Sequence, residues 1–191
     1  MTQTLPTAPT LRADARRNRD RLVAVATRMF TDRGVTVPLE DIAREAAVGI
    51  GTLYRHFPTR DALIGVVYRN ETEALNAVAD ELSNTLPSDE ALAQWLHRSL
   101  DYLATKRGLG AGLMTLLQDN PELQAVAKGG FPRMLDRMVE AAKRDGTIRA
   151  DVDASDVMHA LGGIYSAPAS PDWQARSGRV LHILMDGLRR R

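Results

Sequence analysis

Residues 39 to 57 carry two short helical patterns that follow each other closely. In the first, Leu39, Ile42, Ala43 and Ala46 recur at i, i+3, i+4 and i+7, which places them on one buried face of a helix. The second pattern follows a turn that contains Gly49. Its apolar residues have the spacing of one helix face and are expected to point inward: Ile50, Leu53 and Phe57. Two short helices joined by a tight turn predict a helix-turn-helix.

The outward face of the second pattern carries small and hydrogen-bonding residues: Gly51, Thr52, Arg55 and His56, with Tyr54 at the border. A helix face without bulky aliphatic side chains suits a DNA major groove, where phosphates and base edges are contacted by donors. The alternative interpretation is a polar helix that faces water.

The run G-T-L-Y-R-H-F, from Gly51 to Phe57, resembles the hallmark of the tetracycline-repressor (TetR) family of bacterial transcription regulators. The similarity extends over about the first third of the chain, at Phe30, Gly34, Ile42, Ala43 and a long helix that begins near Thr59. It implies a DNA-binding regulator. The DNA contacts expected from the outward face and from the resemblance are Arg16, Arg17, Gly51, Thr52, Tyr54, Arg55, His56 and Thr59.

Two positions depart from the commonest family pattern. Pro38 stands where many members have a threonine that caps the helix and touches phosphate, and proline brings neither a hydroxyl nor a backbone donor. Gly49 stands where a serine is usual, so a side-chain cap is lost although glycine is tolerated there. We expect fewer side-chain contacts around this turn.

The charges are segregated along the chain although the net charge is only +1. Residues 1 to 60 hold ten arginines, no lysine and six acidic residues, a net charge of +4, whereas residues 61 to 191 hold 15 basic and 18 acidic residues, a net charge of −3. The basic part coincides with the helix-turn-helix, which favours a surface that faces phosphates.

Composition argues against several other classes of protein. The chain has no cysteine, and its four histidines (His56, His97, His159 and His182) lack metal-binding spacing, so no metal and no cofactor are expected. No serine stands in a nucleophile elbow, and no glycine cluster follows a strand, so the sequence predicts no enzyme. No apolar run approaches the ~18 residues of a membrane span, and the N-terminus lacks a signal-peptide pattern. We expect a soluble cytoplasmic protein with no membrane contact.

The helical patterns predict an all-α fold with two unequal domains. Residues 1–12 are expected to form a disordered N-terminal arm, residues 13–58 a three-helix DNA-binding domain with the helix-turn-helix, and residues 59–191 a larger helical domain for effector binding and dimerisation. The last two helical patterns have wide apolar faces, which either complete the core or form half of a four-helix homodimer interface. The resemblance favours the interface, with Val157, Leu161, Ile164, Val180, Leu181, Leu184, Met185 and Leu188.

By resemblance, the larger domain holds a cavity for a small hydrophobic or amphipathic effector. Its candidate lining consists of aromatic residues, methionines and their neighbours, which could equally be plain core: Trp95, Tyr102, Met114, Leu117, Phe131, Met134, Met138, Met158, His159 and Tyr165. The sequence thus predicts a homodimer that binds a pseudo-palindromic operator and is released by ligand, most simply a repressor. The alternative is a ligand-independent helical module with an architectural role on DNA or a protein partner.

Overall fold

The computed structural model describes residues 8–166 and 170–190, and the side chains within those ranges except at 8–12, 111 and 165. The described residues form an all-α fold of helices joined by short connections. The helices are α1 (Ala8–Arg33), α2 (Leu39–Glu45), α3 (Ile50–His56), α4 (Arg60–Thr85), α5 (Ser88–Asp119), α6 (Pro121–Gly129), α7 (Phe131–Arg144), α8 (Ala154–Ser166) and α9 (Trp173–Leu188). Within these ranges no helix is long and apolar enough to cross a bilayer.

Helix α1 begins earlier than the sequence pattern predicts. The expected arm covered residues 1–12, but residues 8–12 are helical, and residues 1–7 lie outside the described residues. The reason is that Pro9 falls in the first turn of α1, where proline's fixed φ fits a helix and its missing N–H costs nothing. The predicted arm is therefore wrong for residues 8–12.

Helices α1 to α3 share a small core. Leu22 and Phe30 of α1 pack with Leu53 of α3, and all three are fully buried. Helix α1 ends where Gly34 adopts a φ of +79°, a left-handed conformation that favours glycine. An ion pair between Arg28 and Glu45 joins α1 to α2 across the surface. The helix-turn-helix is thus held against α1.

Helix α4 runs from the helix-turn-helix into the larger part of the molecule. The Thr59 hydroxyl accepts a hydrogen bond from the backbone N–H of Ala62 at 3.1 Å, so Thr59 is the N-cap of α4. Helix α4 packs along α5, and the indole N–H of Trp95 donates to the carbonyl of Leu75 at 3.0 Å. This pairing forms the centre of the larger core.

Helix α5 is 32 residues long and is broken at Gly110, whose φ of 46° and ψ of −134° are not helical. The glycines at 108 to 112 therefore lie within α5. Beyond the break, α6 begins at Pro121, and the side chain of Asn120 caps it by accepting from the N–H of Leu123 at 3.1 Å. Helix α7 packs against α4 and α5, α9 packs against α5, and α8 packs against α7 and α9.

Candidate nucleic-acid interface and ligand cavity

Helix α3 is anchored by only two of the three apolar residues expected to face inward. Leu53 and Phe57 are buried, but Ile50 is 38% exposed. The expectation for Ile50 is wrong because it is the first residue of a seven-residue helix, and the small core beneath α3 reaches only the second turn. Ile50 therefore adds an aliphatic side chain to the outer face.

The remaining outer face agrees with the spacing argument. Gly51, Tyr54 and Arg55 are exposed, and Thr52 and His56 are half-buried. A Cβ built on Gly51 would meet no atom within 4 Å, so another molecule can approach the backbone closely there. The face is open and carries a guanidinium, a phenol and an imidazole.

The two departures from the commonest pattern have the predicted local effect. Neither Pro38 at the start of α2 nor Gly49 at the start of α3 makes a side-chain cap hydrogen bond. The missing caps are confirmed. The turn is held instead by backbone hydrogen bonds, such as that from the N–H of Val48 to the carbonyl of Ala43 at 2.9 Å.

The predicted phosphate-contacting residues lie on two helices. Arg16 and Arg17 are exposed on α1, where Arg16 lies 3.9 Å from Asp20 and Arg17 pairs with Asp14. Exposed ion pairs of this kind contribute little, so both guanidiniums can turn toward another anion. Thr59 is exposed at the start of α4, with its hydroxyl used as the helix cap.

Sequence reasoning missed two arginines that organise this surface. Arg60 donates to the carbonyl of Val37 at 2.7 Å and also to that of Val35, which fixes the connection between α1 and α2. The guanidinium of Arg19 lies over the ring of Phe57, 5.6 Å from its centroid. Arg19 falls in the arginine-rich start of α1, which was the available signal.

The predicted dimer residues are mostly part of the chain's own core. Six of the eight are buried within the chain: Val157, Leu161, Ile164, Leu181, Met185 and Leu188. Their apolar stripes mark the faces that pack inside the chain, although Ile164, Val157 and Leu188 also line grooves on the outer side of α8 and α9. Their part in a dimer interface stays a prediction. Val180 is exposed and Leu184 is half-buried, and Ile183, which was missed, is 70% exposed.

Small residues accompany this exposed apolar strip. Gly163 of α8 and Gly187 of α9 are exposed, and a Cβ on either would meet nothing within 4 Å. Shallow grooves on the outer side of α8 and α9 include these glycines together with Val180 and Ile183. A second helix pair could approach closely here.

A cavity of about 240 Å³ lies between α5, α6, α7 and α8. Its walls are mostly apolar and are formed by Tyr102, Leu103, Lys106, Ala127, Phe131, Pro132, Met158, Leu161 and Gly162. Among the candidates from the sequence, Tyr102, Phe131 and Met158 line it. The rings of Tyr102 and Phe131 stack with centroids 5.7 Å apart and planes 6° apart.

The other candidates lie elsewhere. Trp95 is fully buried and stacks behind Phe131 at 4.8 Å, and Met138 is buried near the start of α5. Met114 is 55% exposed, and His159 is exposed with Nδ1 2.7 Å from the carbonyl oxygen of Ser155. Leu117 and Met134 are half-buried outside this lining, and the side chain of Tyr165 lies outside the described residues. Apolar content alone did not distinguish cavity from core.

Lys106 is the charged lining residue that the sequence reasoning missed, together with Leu103, Ala127, Pro132 and Gly162. It follows Tyr102 by four residues and Leu103 by three, so it stands within an apolar stripe, and this was the available signal. Burial lowers the pKa of its ammonium group because desolvation penalises the charged form. In the described part of the chain, no cluster of three His, Asp or Glu side chains could hold a metal ion.

The cavity wall and the DNA-binding helices meet on one stretch of α5. The hydroxyl of Thr31 in α1 donates to the hydroxyl of Thr105 in α5 at 3.1 Å. One turn further, Gly108 packs directly on the backbone of α1: a Cβ there would lie 2.8 Å from the carbonyl carbon of Phe30 and from the Cα of Thr31. Leu103 and Lys106, on either side of Thr105, line the cavity. A ligand that displaces this turn of α5 would therefore also displace α1.

Helix-turn-helix geometry with an open second helix, joined to a larger helical domain, defines a DNA-binding regulator. Comparisons with known proteins agree. Residues 22–67 match the family model described as bacterial regulatory proteins of the tetR family, and residues 87–190 match the model for the C-terminal domain of SbtR-like transcriptional regulators. The chain belongs to the TetR family of transcriptional regulators, and the matching families are regulators rather than enzymes.

Solved structures extend the similarity over nearly the whole chain. The TetR regulator SCO0520 of Streptomyces coelicolor is 38% identical with a TM-score of 0.75, over 90% of this chain and 98% of that one. A TetR regulatory protein of Mycobacterium vanbaalenii is 35% identical with a TM-score of 0.73, over 94% and 99% of the two chains. These matches confirm the all-α fold with its N-terminal helix-turn-helix.

Curated relatives align over a shorter stretch. An HTH-type transcriptional regulator of Staphylococcus aureus is 32% identical over 94 residues, which is 49% of each chain. The chain thus spans about half the length of the curated relatives it matches. A transcriptional regulator of Saccharomonospora viridis, solved in complex with choline, shares the fold at 18% identity with a TM-score of 0.67, over 91% of this chain and 98% of that one.

Proposed function

We propose that the protein is a ligand-responsive repressor that binds a pseudo-palindromic operator as a homodimer. The observation that carries the proposal is the outer face of α3, which is anchored by buried Leu53 and Phe57 and presents Tyr54 and Arg55 to solvent. A helix of this kind enters the major groove, where arginine can bond to guanine in two places and an aliphatic side chain can contact the methyl of thymine. Arg16, Arg17 and Thr59 would then contact phosphates on either side.

Dimerisation would use the exposed strip on α8 and α9. Val180 and Ile183 are apolar and exposed, and the glycines beside them leave room for close helix approach. A dimer places one recognition helix in each of two half-sites, so the operator would mirror the two-fold symmetry of the protein. The rim of the strip includes Arg176 and Asp172, which already pair with each other at 2.6 Å.

Ligand response would arise from the shared turn of α5. A ligand in the cavity touches Tyr102, Leu103 and Lys106, and the same turn touches α1 through Thr105 and Gly108. A ligand that binds better to the conformation with a displaced α5 would lower the affinity of the protein for its operator. Binding of the operator would lower the affinity for the ligand by the same factor. The choline complex of the Saccharomonospora viridis regulator supports the idea that a helical domain of this fold can hold a small organic molecule.

The experiment that tests the DNA-binding part is a mobility shift with a pool of genomic fragments at two salt concentrations. A regulator retards a small set of fragments and retains the preference at higher salt. The alternative is an architectural DNA-binding protein, which retards all fragments equally. Its affinity for DNA comes entirely from phosphate contacts and therefore falls with salt concentration in the same way for every fragment. Equal retardation would reject the proposal.

A further inference from the structure

Arg19 continues the buried face of α1 by one turn beyond the small core. Leu22 and Val23 of that face are buried, and Arg19 precedes them by three and four residues, so its side chain lies on the same side of the helix. The guanidinium carbon of Arg19 lies 5.6 Å from the centroid of the Phe57 ring, and Phe57 is the C-cap of α3. Arg19 therefore joins the N-terminal part of α1 to the C-terminal end of α3.

The guanidinium of Arg19 differs from those of its neighbours because it has no anionic partner. Arg16 and Arg17 each approach an acidic residue of α1 itself. Arg19 is half-buried, and within the described ranges no carboxylate lies within 4 Å of its guanidinium and no acceptor receives a hydrogen bond from it. The face of the Phe57 ring attracts the positive charge but has no lone pair for an N–H group. The charge is thus held over the ring while its donors stay available to an anion.

In a helix-turn-helix complex, the C-terminal end of α3 would lie near a phosphate backbone. The N-terminal residues of such a helix contact base edges, and the major groove is about 12 Å wide. Helix α3 has seven residues and is therefore about 10 Å long, so it nearly spans the groove and its far end approaches one of the two strands. A guanidinium at this end can donate two parallel hydrogen bonds to a phosphate.

We propose that Arg19 contacts a phosphate of the operator and that the ring of Phe57 holds its guanidinium in position for that contact. A side chain that is ordered before binding loses less entropy on binding than the exposed side chains of Arg16 and Arg17. Because Phe57 belongs to α3, the same contact fixes the orientation of α3 relative to the DNA backbone. The inference rests on the proposed operator binding and adds the residue that ties α3 to the backbone.

The test uses the full-length protein and measures fluorescence anisotropy with a selected operator duplex and an unrelated duplex at several salt concentrations. Arg19→Met keeps an unbranched side chain over the Phe57 ring and removes the charge. This variant should bind both duplexes more weakly by the same factor, at least about tenfold, which is the strength of one hydrogen bond to a charged group. The slope of log affinity against log salt concentration should fall by about 0.9, the value for one phosphate contact.

Arg33→Met is the matched control, because it removes the same charge from the other end of α1. Arg33 is exposed and lies two residues from Thr31, whose hydroxyl contacts α5. This variant should keep the affinity and the salt slope of the natural protein.

A double-mutant cycle assigns the role of the ring. Phe57→Leu keeps a buried apolar side chain and removes the aromatic face, so Arg19→Met should cost less than about threefold in this background. Arg19→Lys tests the same point without a change in the core. It keeps the charge but lacks the planar guanidinium, so it should keep the salt slope and lose at least about threefold in affinity. An equal cost of Arg19→Met in both backgrounds, or full affinity in Arg19→Lys, would overturn the role of the ring.

The outcomes separate this inference from the proposed function. Natural affinity and salt slope in Arg19→Met, or a lower affinity with an unchanged slope, would overturn the phosphate contact while operator selection by the natural protein stands. Equal binding of both duplexes by the natural protein would reject the operator, whereas a lower slope in Arg19→Met would still support the phosphate contact. No DNA binding at low salt concentration would overturn both.

Discussion

Gly108→Ala should disturb the contact between α5 and α1 and should weaken operator binding at the same time. The added Cβ would lie 2.8 Å from the carbonyl carbon of Phe30 and 2.8 Å from the Cα of Thr31, and closer still to the Phe30 carbonyl oxygen. Carbon atoms prefer separations of about 3.5 to 4.0 Å, so the two helices must part by about 1 Å. Both neighbours are backbone, which cannot rotate away.

The expected energy follows from that displacement. Overpacking of this kind costs about 1–3 kcal/mol, and each kcal/mol lowers the Tm of a chain of this size by about 2–4 °C. A shift of α1 carries the helix-turn-helix with it, so we expect operator affinity to fall about five- to 150-fold, the usual range of coupling between sites.

Gly112→Ala is the matched control on the same helix. Its Cβ would lie 3.4 Å from Val35 Cγ2 and 3.5 Å from Ile64 Cδ1, which are ordinary contacts. Alanine also favours a helix over glycine by about 0.5–1 kcal/mol, so this variant should keep or raise the Tm and keep operator affinity. The assays are differential scanning calorimetry and fluorescence anisotropy with a selected operator duplex. A Gly108→Ala protein with the natural Tm would refute the close approach, and one with a lower Tm but natural operator affinity would refute the coupling.

Three further predictions concern the surfaces. Arg55→Ala should weaken operator binding by about 1–3 kcal/mol and relax the sequence preference at one base pair. Competition with single-base operator variants measures both effects. Unchanged affinity would remove Arg55 from the interface. Deoxyuridine in place of one thymine of the half-site deletes only a methyl group and should weaken operator binding about fourfold, which corresponds to about 0.8 kcal/mol for one buried carbon. The Ile50→Ala protein should bind the two duplexes equally well. If both proteins lose the same affinity on this replacement, Ile50 does not contact the methyl group. The Ile183→Glu protein should fold normally, because the side chain is 70% exposed in the single chain. It should sediment as a monomer, because a dimer would bury an unpaired carboxylate. An intact dimer would place the interface elsewhere.

The helix-turn-helix could be predicted from the sequence because its signals are local. The spacing of Leu39, Ile42, Ala43 and Ala46 defines one helix face. Thr59 is recognisable as the N-cap of α4 because threonine is a preferred residue at that position. Ile50 was misplaced because periodicity describes an ideal helix and does not say where the core beneath it ends.

The cavity and the dimer surface depend on information that periodicity does not contain. The stripes of α8 and α9 identify Leu161, Leu181 and Met185 correctly as apolar contact residues, but which partner they contact is decided by how α5 and α7 pack against them. Ile183 lies off the stripe and is a surface residue for that reason. Lys106 belongs to a cavity because α7 and α8 enclose it, and its sequence neighbours alone do not establish that enclosure.

The symmetry of a selected operator tests the proposed binding as a homodimer most directly. The purified protein selects its binding sites from genomic DNA, and hydroxyl-radical footprinting and sedimentation are then applied to one selected duplex. We expect one protein dimer per duplex and two equivalent half-sites whose centres lie about 34 Å apart or a multiple of that distance. A single asymmetric footprint, or binding without any sequence preference, would contradict it.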